Sequence, residues 1–95
     1  MELIVTGPVF EWRGPAPWYF VLVEDPQAAE IEAASAMVTY GWGMIPATLT
    51  LGPTEWRTAL WPKDGLYVIP LKAAVRKAEG IDEGDVVTVT VTLER

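Results

Sequence analysis

Residues 41–93 decide the fold, because strands, turns and a helix follow one another in them almost without spare residues. They read GWGMIPATLTLGPTEWRTALWPKDGLYVIPLKAAVRKAEGIDEGDVVTVTVTL. Near the end of this stretch, Val87, Val89, Val91 and Leu93 fall on one side of an extended chain and threonines fall on the other. Such alternation is typical of a strand with one buried face and predicts a strand over 86–93.

Three earlier strands and a helix are predicted within the same stretch. The strands cover 47–51, 55–61 and 66–69, and they are separated by Gly52-Pro53-Thr54 and by the turn sequence Pro62-Lys63-Asp64-Gly65. Pro70 is expected to open the helix and Gly80 to end it, with Ile81 packing back on its last turn. The apolar stripe of this helix is formed by Leu71, Ala74, Val75 and Ala78.

The first part of the chain supplies two more strands and another helix. Residues 3–12 form a strand in which Gly7-Pro8 indicates a bulge or an edge position. Residues 18–23 are apolar on both faces, which predicts a central strand covered by the barrel interior on one side and by a helix on the other. Asp25-Pro26 then starts a helix that runs to about Met37, with the Asp25 carboxylate as its cap. Its apolar stripe comprises Ala28, Ile31, Ala34 or Ser35, and Val38.

The order β-β-α-β-β-β-α-β, with short turns between strands, indicates a mostly β protein with antiparallel pairing. The expected architecture is a six-stranded barrel, closed or split, with a helix at each end. At 95 residues the chain supports one hydrophobic core, so 1–95 is expected to be a single domain.

Composition removes several kinds of chemistry. The chain has no cysteine and no histidine, so it lacks a thiolate nucleophile, the usual zinc ligands and the commonest general base. Ser35 is the only serine and has no nucleophile-elbow motif around it. Asp82, Glu83 and Asp85 are expected to be solvated residues of a turn. We therefore expect no enzyme, no cofactor and no metal site.

Charge and hydropathy limit the partners. Seven basic and thirteen acidic residues give a formal net charge of −6, which disfavours duplex nucleic acid. The uncharged stretch 33–54 is interrupted by glycines and prolines, so no membrane helix is expected. The N-terminus lacks the basic region and continuous apolar segment of a secretory signal, and a cytoplasmic location is expected.

Trp42 is the candidate for a binding residue, because the glycines on both sides of it give the backbone freedom that costs stability. It either plugs the mouth of the barrel or forms an aromatic lid over a small apolar or planar ligand. Possible neighbours of such a lid are Trp18, Trp56, Trp61 and Tyr67. Arg57 and Arg76 either cover apolar surface with their stems or contact an anion at the rim of a pocket.

The sequence also resembles a known family. Gly41-Trp42-Gly43, the run 51–58, the run 62–79 and Gly84-Asp85-Val86-Val87 are similar to the bacterial domain-of-unknown-function 1905 family. The resemblance implies a small split β-barrel capped by helices, and it implies no activity, substrate or catalytic residue.

Three interpretations of function follow. The first is a binding module for a small apolar or planar ligand or a peptide, at a tryptophan-lined end of the barrel. The second is a structural or protein–protein interaction domain that self-associates. The third, nucleic-acid binding, comes from a fold-level likeness to the barrels of transition-state regulators and is disfavoured by the acidic charge.

Overall fold

The computed structural model of the protein describes residues 2–12, 18–38 and 44–93. Its elements are β1 (Glu2–Trp12), β2 (Trp18–Val23), α1 (Gln27–Val38), β3 (Ile45–Leu51), β4 (Thr54–Lys63), β5 (Leu66–Leu71), α2 (Ala73–Glu79) and β6 (Val86–Leu93). The predicted order of elements is confirmed. Within the described ranges, neither helix is long and apolar enough to cross a membrane.

The six strands form a closed antiparallel barrel in the order β1-β2-β5-β4-β3-β6. The long strands β1 and β4 each serve two walls. The first half of β1 pairs with β6, up to Pro8↔Val86, and the second half pairs with β2 from Val9↔Val21. We call the wall of β3, β6 and the adjoining halves of β1 and β4 the β3–β6 wall, and the opposite one the β2–β5 wall.

The barrel interior is filled by apolar side chains from every strand and both helices. The predicted alternation is confirmed in β3, where Ala47, Leu49 and Leu51 are buried, and in β6, where Val89 and Val91 are fully buried. Within the described residues no side chain that is buried is polar or charged. The interior therefore supplies stability and has no charged group among the described residues; its polar atoms belong to two aromatic side chains, Trp56 and Tyr67.

The turn between β4 and β5 is tighter than predicted. Pro62 lies within β4, opposite Tyr67, and only Asp64 and Gly65 form the turn. Both residues have positive φ, 52° and 80°, which is the signature of a type I′ turn. A two-residue turn of this type matches the twist of the strands, so both strands continue further than expected.

Helix α1 is held at its start by side-chain hydrogen bonds. The Asp25 carboxylate accepts a hydrogen bond from the Ala29 N–H (3.1 Å), which confirms the expected cap, and the Asp25–Pro26 peptide is cis. The Gln27 amide donates to the Ile4 carbonyl of β1. Ala28 and Ile31 are buried in the core, as predicted from the stripe. The side chains of Ser35 and Val38 lie outside the described part of the helix.

The prediction that Pro70 opens the second helix is wrong. Pro70 and Leu71 are the last residues of β5, opposite Phe20 and Tyr19, and α2 begins at Ala73. β4 pairs with β5 only as far as Val68, so at Pro70 strand β5 is paired on one side only, with β2.

The apolar stripe of α2 is narrower than predicted. Val75 is its buried residue, whereas Ala74 and Ala78 are exposed. As expected, Gly80 ends the helix, with left-handed φ and ψ of 62° and 42°, and Ile81 is buried in the core. Strand β2 ends at Val23, shortly before α1 begins. Leu71, shortly before α2, pairs with Tyr19 near the start of β2. The two helices therefore lie at opposite ends of β2.

Candidate functional site

Five aromatic side chains cluster on the outer face of the β2–β5 wall. Register brings them together, because Phe10 pairs with Phe20 and Trp12 pairs with Trp18 across β1 and β2, while Trp61 comes from β4. We call these five residues, Phe10, Trp12, Trp18, Phe20 and Trp61, the aromatic patch.

Four rings of the patch form a chain of contacts, and Trp12 lies beside them, opposite Trp18 in the register. The ring centroid of Phe20 lies 5.7 Å from that of Phe10 and 5.4 Å from that of Trp61, and Trp18 lies 5.4 Å from Trp61. These separations fall in the range of favourable aromatic pairs. Phe20 and Val68 are buried although neither belongs to the core cluster, so the patch covers part of the outer wall.

This arrangement corrects the interpretation of β2. Its outer side was expected beneath a helix, but it packs against Phe10 and Trp61. Trp18, expected in the covered centre of the sheet, has 43% of its surface exposed. An apolar run on both faces therefore reflects an aromatic outer surface rather than a helix layer.

A small cavity opens within the patch. Its volume is about 180 Å³, and its lining residues are Phe10, Trp12, Phe20, Trp61, Pro62, Lys63 and Val68. Apart from the Lys63 ammonium, these side chains present aromatic or aliphatic groups. The recess can hold an apolar group, and the ring of Trp61 is one of its walls.

A second cavity of about 310 Å³ lies on the other side of Trp61. It is lined by Trp18, Met44, Thr58, Ala59, Trp61, Pro70, Leu71 and Lys72. Among the described lining residues, Trp61 is the one that the two cavities share. A change at Trp61 would therefore alter both recesses, whereas Trp12 lines the smaller one and Trp18 the larger.

The two walls of the barrel have different outer surfaces. On the β3–β6 wall, β3 and β6 present mainly threonines outward, together with the isolated exposed Ile4 and Val86, and the hydroxyls of Thr6 and Thr88 are 3.0 Å apart. Threonine is an ordinary residue for a solvated strand face. On the opposite wall the rings form a contiguous apolar surface.

Two of the predicted binding residues lie inside the barrel. Trp56 and Tyr67 are both about 7% exposed and belong to the hydrophobic core. The Trp56 indole N–H is buried and has no hydrogen-bond partner among the described residues. These two residues are therefore core residues and do not join Trp61 in the patch.

The remaining candidates are dispersed. Arg57 lies on the exposed face of β4, opposite Thr48 of β3, in the part of the strand that belongs to the β3–β6 wall. Trp42 falls outside the described residues, and the choice between plug and lid stays a prediction. Of the residues named from the sequence, the structure thus places Trp61 and the suggested lid neighbour Trp18 in the aromatic patch.

Arg76 lies in the last turn of α2 and stacks on a tyrosine of β2. Its guanidinium carbon is 3.3 Å from the ring centroid of Tyr19. The Tyr19 hydroxyl donates to the Glu11 carboxylate, and this hydrogen bond is the main reason that the pKa of Tyr19 is raised above its ordinary value of 10.0. Arg76 also lines an open groove of about 630 Å³ along α2. The cation–π contact orients this arginine, in agreement with a packing role.

The acidic turn before β6 is a structural element. The Asp85 carboxylate accepts a hydrogen bond from the Asp82 N–H (2.8 Å), and the Glu83 carboxylate accepts one from the Glu11 N–H (3.1 Å). The backbone of Gly84 donates to the carbonyl of Val9. The Asp85 carboxylate thus closes the turn on itself, and the Glu83 carboxylate and the Gly84 N–H fasten it to β1. Across the described part of the chain, no three acidic side chains are grouped closely enough to hold a metal ion.

Sequence reasoning missed Phe10, Trp12 and Phe20 as site residues. One signal was available: the aromatic pairs 10/12 and 18/20 recur at a spacing of two on consecutive strands, so each pair shares a face. Their common surface with Trp61 required the pairing of β2 with β5 and of β5 with β4, which a local pattern does not supply.

Comparison with known proteins agrees with the resemblance noted in the sequence. The family model described as domain of unknown function (DUF1905) matches residues 6–91, from within β1 to within β6. No curated protein matches the sequence significantly. Since the match spans all six strands and both helices, the chain belongs to the domain-of-unknown-function 1905 family.

Proposed function

We propose that the protein is a binding module whose ligand is a small molecule with a flat apolar group. The observation that carries this proposal is the recess of about 180 Å³ between Trp12 and Trp61, on the outside of a barrel whose interior is already filled. Ligand sites are typically concave and apolar, with few polar groups. The recess has this character, and folding alone does not require it.

The size of the recess limits the ligand. An apolar cavity of about 150 Å³ is large enough for benzene, whereas drug-sized ligands occupy roughly 300–1,000 Å³. About 180 Å³ therefore fits one ring or two fused rings with a short substituent. Ring faces at Trp12 and Trp61 favour a planar group, because offset or edge-to-face contacts add about 0.5–1.5 kcal/mol beyond burial.

A second candidate function is association with another protein, including a second copy of this chain. The observation that favours it is the exposure of two patch tryptophans, 54% for Trp12 and 43% for Trp18. Large exposed aromatics are common at interfaces. Sedimentation over a wide range of protein concentration tests this alternative: a dimer that Trp12→Ala converts to monomer would support it.

Catalysis and nucleic-acid binding are not part of the proposal. The chain has no histidine and no cysteine, and its net charge is −6. Fluorescence anisotropy with duplex DNA at physiological salt, about 0.15 M, should show no binding. Specific binding of duplex DNA at this salt concentration would indicate a function other than the one proposed.

The proposal is tested by calorimetric titration with a neutral planar probe, naphthylmethanol. Trp12 and Ile4 provide matched variants, since both point outward from β1 and are 54% and 60% exposed, but Ile4 lies on the β3–β6 wall. We expect Trp12→Ala to weaken binding roughly tenfold, equal to about 1.4 kcal/mol, and Ile4→Ala to leave it unchanged. No binding to the wild type, or equal binding by both variants, would contradict the proposal.

A further inference from the structure

The charged group at the smaller cavity suggests what else the ligand carries. Among the described residues that line this cavity, Lys63 alone bears a charge. Acidic residues outnumber basic ones by six in the chain, yet no acidic residue is among the described residues that line this cavity. A cation at the rim of an apolar recess complements a ligand that is apolar at one end and anionic at the other.

Lys63 has a weak partner within the protein. Its ammonium lies 3.9 Å from the Asp64 carboxylate, with the two side chains 54% and 89% exposed. Exposed ion pairs of this kind contribute about 0–1 kcal/mol, because water screens them and both side chains lose freedom. The ammonium has three donors on a flexible stem, so it can turn from Asp64 to an anion in the cavity.

Lys72 belongs to the other cavity and lies far from Lys63. Lys63 pairs with Leu66 at the start of β5, and Lys72 follows Leu71 at its end. At about 3.3 Å per residue the two positions are roughly 20 Å apart along the strand. One small ligand cannot contact both lysines, so the protein contains a charge-matched control for Lys63.

We infer that the ligand of the smaller cavity is an aromatic anion, with its ring between Trp12 and Trp61 and its carboxylate on the Lys63 ammonium. This inference rests on the proposed function and specifies its ligand class. Burial of the ring accounts for retention in the recess. The lysine sets the orientation, because the charged group must stay at the rim, where water and the ammonium solvate it.

The test compares naphthoate with naphthylmethanol, which share the ring system and differ in charge. Three variants are used: Lys63→Gln, the matched Lys72→Gln, and Asp64→Asn, which removes the competing carboxylate. Asparagine is chosen because residue 64 has a φ of 52°, and asparagine tolerates this conformation. Calorimetric titrations are run for each probe at low and at physiological salt, and circular dichroism checks that each variant is folded.

We expect naphthoate to bind the wild type more tightly than naphthylmethanol, with the difference shrinking at higher salt. Lys63→Gln should weaken naphthoate binding roughly three- to fivefold and leave naphthylmethanol unchanged. Lys72→Gln should affect neither probe, and Asp64→Asn should strengthen naphthoate binding. If both probes bind equally and Lys63→Gln behaves as Lys72→Gln does, the anion inference is wrong while the binding function stands. If neither probe binds, both are wrong.

Discussion

The rings of Phe20 and Trp61 lie 5.4 Å apart although their strands, β2 and β4, do not pair with each other. Strand β5 runs between them, and neighbouring strands are spaced about 4.8 Å apart. The two side chains therefore meet above β5, which explains why Val68 is only 2% exposed on the outer face of a barrel. This bridging contact turns separate aromatic residues into one surface with a recess beside it.

The first prediction tests the register of the last strand. Val89 is fully buried, whereas Thr90 lies on the outer face opposite Ile4 of β1. Val89→Asp should unfold the protein or cost several kcal/mol, since it places an unpaired charge in an apolar core. Thr90→Asp should be tolerated. Thermal unfolding measures both, and an equal loss of stability would show that the inward face of β6 has been assigned wrongly.

The second prediction separates a core tryptophan from a patch tryptophan. Trp56 is 7% exposed within the barrel, and Trp18 is 43% exposed on its surface. We expect Trp56→Ala to lower the free energy of unfolding by about 3–5 kcal/mol, as for other buried aromatics. Trp18→Ala should cost clearly less, because much of its ring already contacts water. Urea unfolding of the two variants decides, and a larger loss at Trp18 would contradict the description of the patch.

The third prediction concerns the turn between β3 and β4. Gly52 has a φ of 58°, and a Cβ placed on it would lie 2.9 Å from the Glu79 carboxylate of α2. That carboxylate also accepts a hydrogen bond from the Thr54 hydroxyl. Gly52→Ala should therefore cost about 1–2 kcal/mol for the left-handed backbone and more for displacing Glu79.

Gly65 is the control for this variant, since it has a φ of 80° but open space around its Cβ position. Gly65→Ala should show the backbone cost alone. In a Glu79→Ala background, Gly52→Ala and Gly65→Ala should cost about the same. The contact between α2 and this turn would be disproved if the excess cost of Gly52→Ala persisted without the carboxylate.

The fourth prediction is a pH dependence at Tyr19. Its pKa is raised, first by the hydrogen bond to Glu11 and then by partial burial, while the nearby Arg76 opposes the shift. The folded state thus favours the neutral phenol. The resulting stability is present below the ordinary tyrosine pKa of about 10 and is lost as the pH rises through the higher folded value.

Ultraviolet titration of tyrosinate, with Tyr19→Phe to assign the signal, measures this shift. Glu11→Gln should lower the pKa of Tyr19, and Glu30→Gln, which removes the same charge from the exposed face of α1, should leave it where it was. An unchanged Tyr19 titration in Glu11→Gln would show that burial, Arg76 and Glu83, and not the hydrogen bond to Glu11, set the pKa of Tyr19.

The parts of the fold that were predictable are those with local causes. Alternation of valine and threonine in β6, and of leucine and threonine in β3, identified both strands and their inward faces. Pro70 was misassigned because a proline before a helical pattern favours a helix start as much as a strand end. Only the pairing with Phe20 distinguishes the two.

The candidate site was mostly unpredictable for a related reason. Trp61 was named, but so was Trp56, and both lie in one strand on opposite faces. The alternation separates these faces without saying which of them is the interior. That choice depends on closure of the barrel, which brings residues from β1, β2 and β4 together across long stretches of sequence.

Proton–nitrogen correlation spectra recorded during a titration with naphthylmethanol test the binding site most directly, because every tryptophan contributes its own indole N–H signal. We predict progressive shifts of the Trp12 and Trp61 indole signals and of the Val68 amide, with no shifts at Thr88 and Thr90 on the opposite wall. Shifts confined to the β3–β6 wall, or a spectrum that stays unchanged up to the solubility limit of the probe, would contradict a binding function for the aromatic patch.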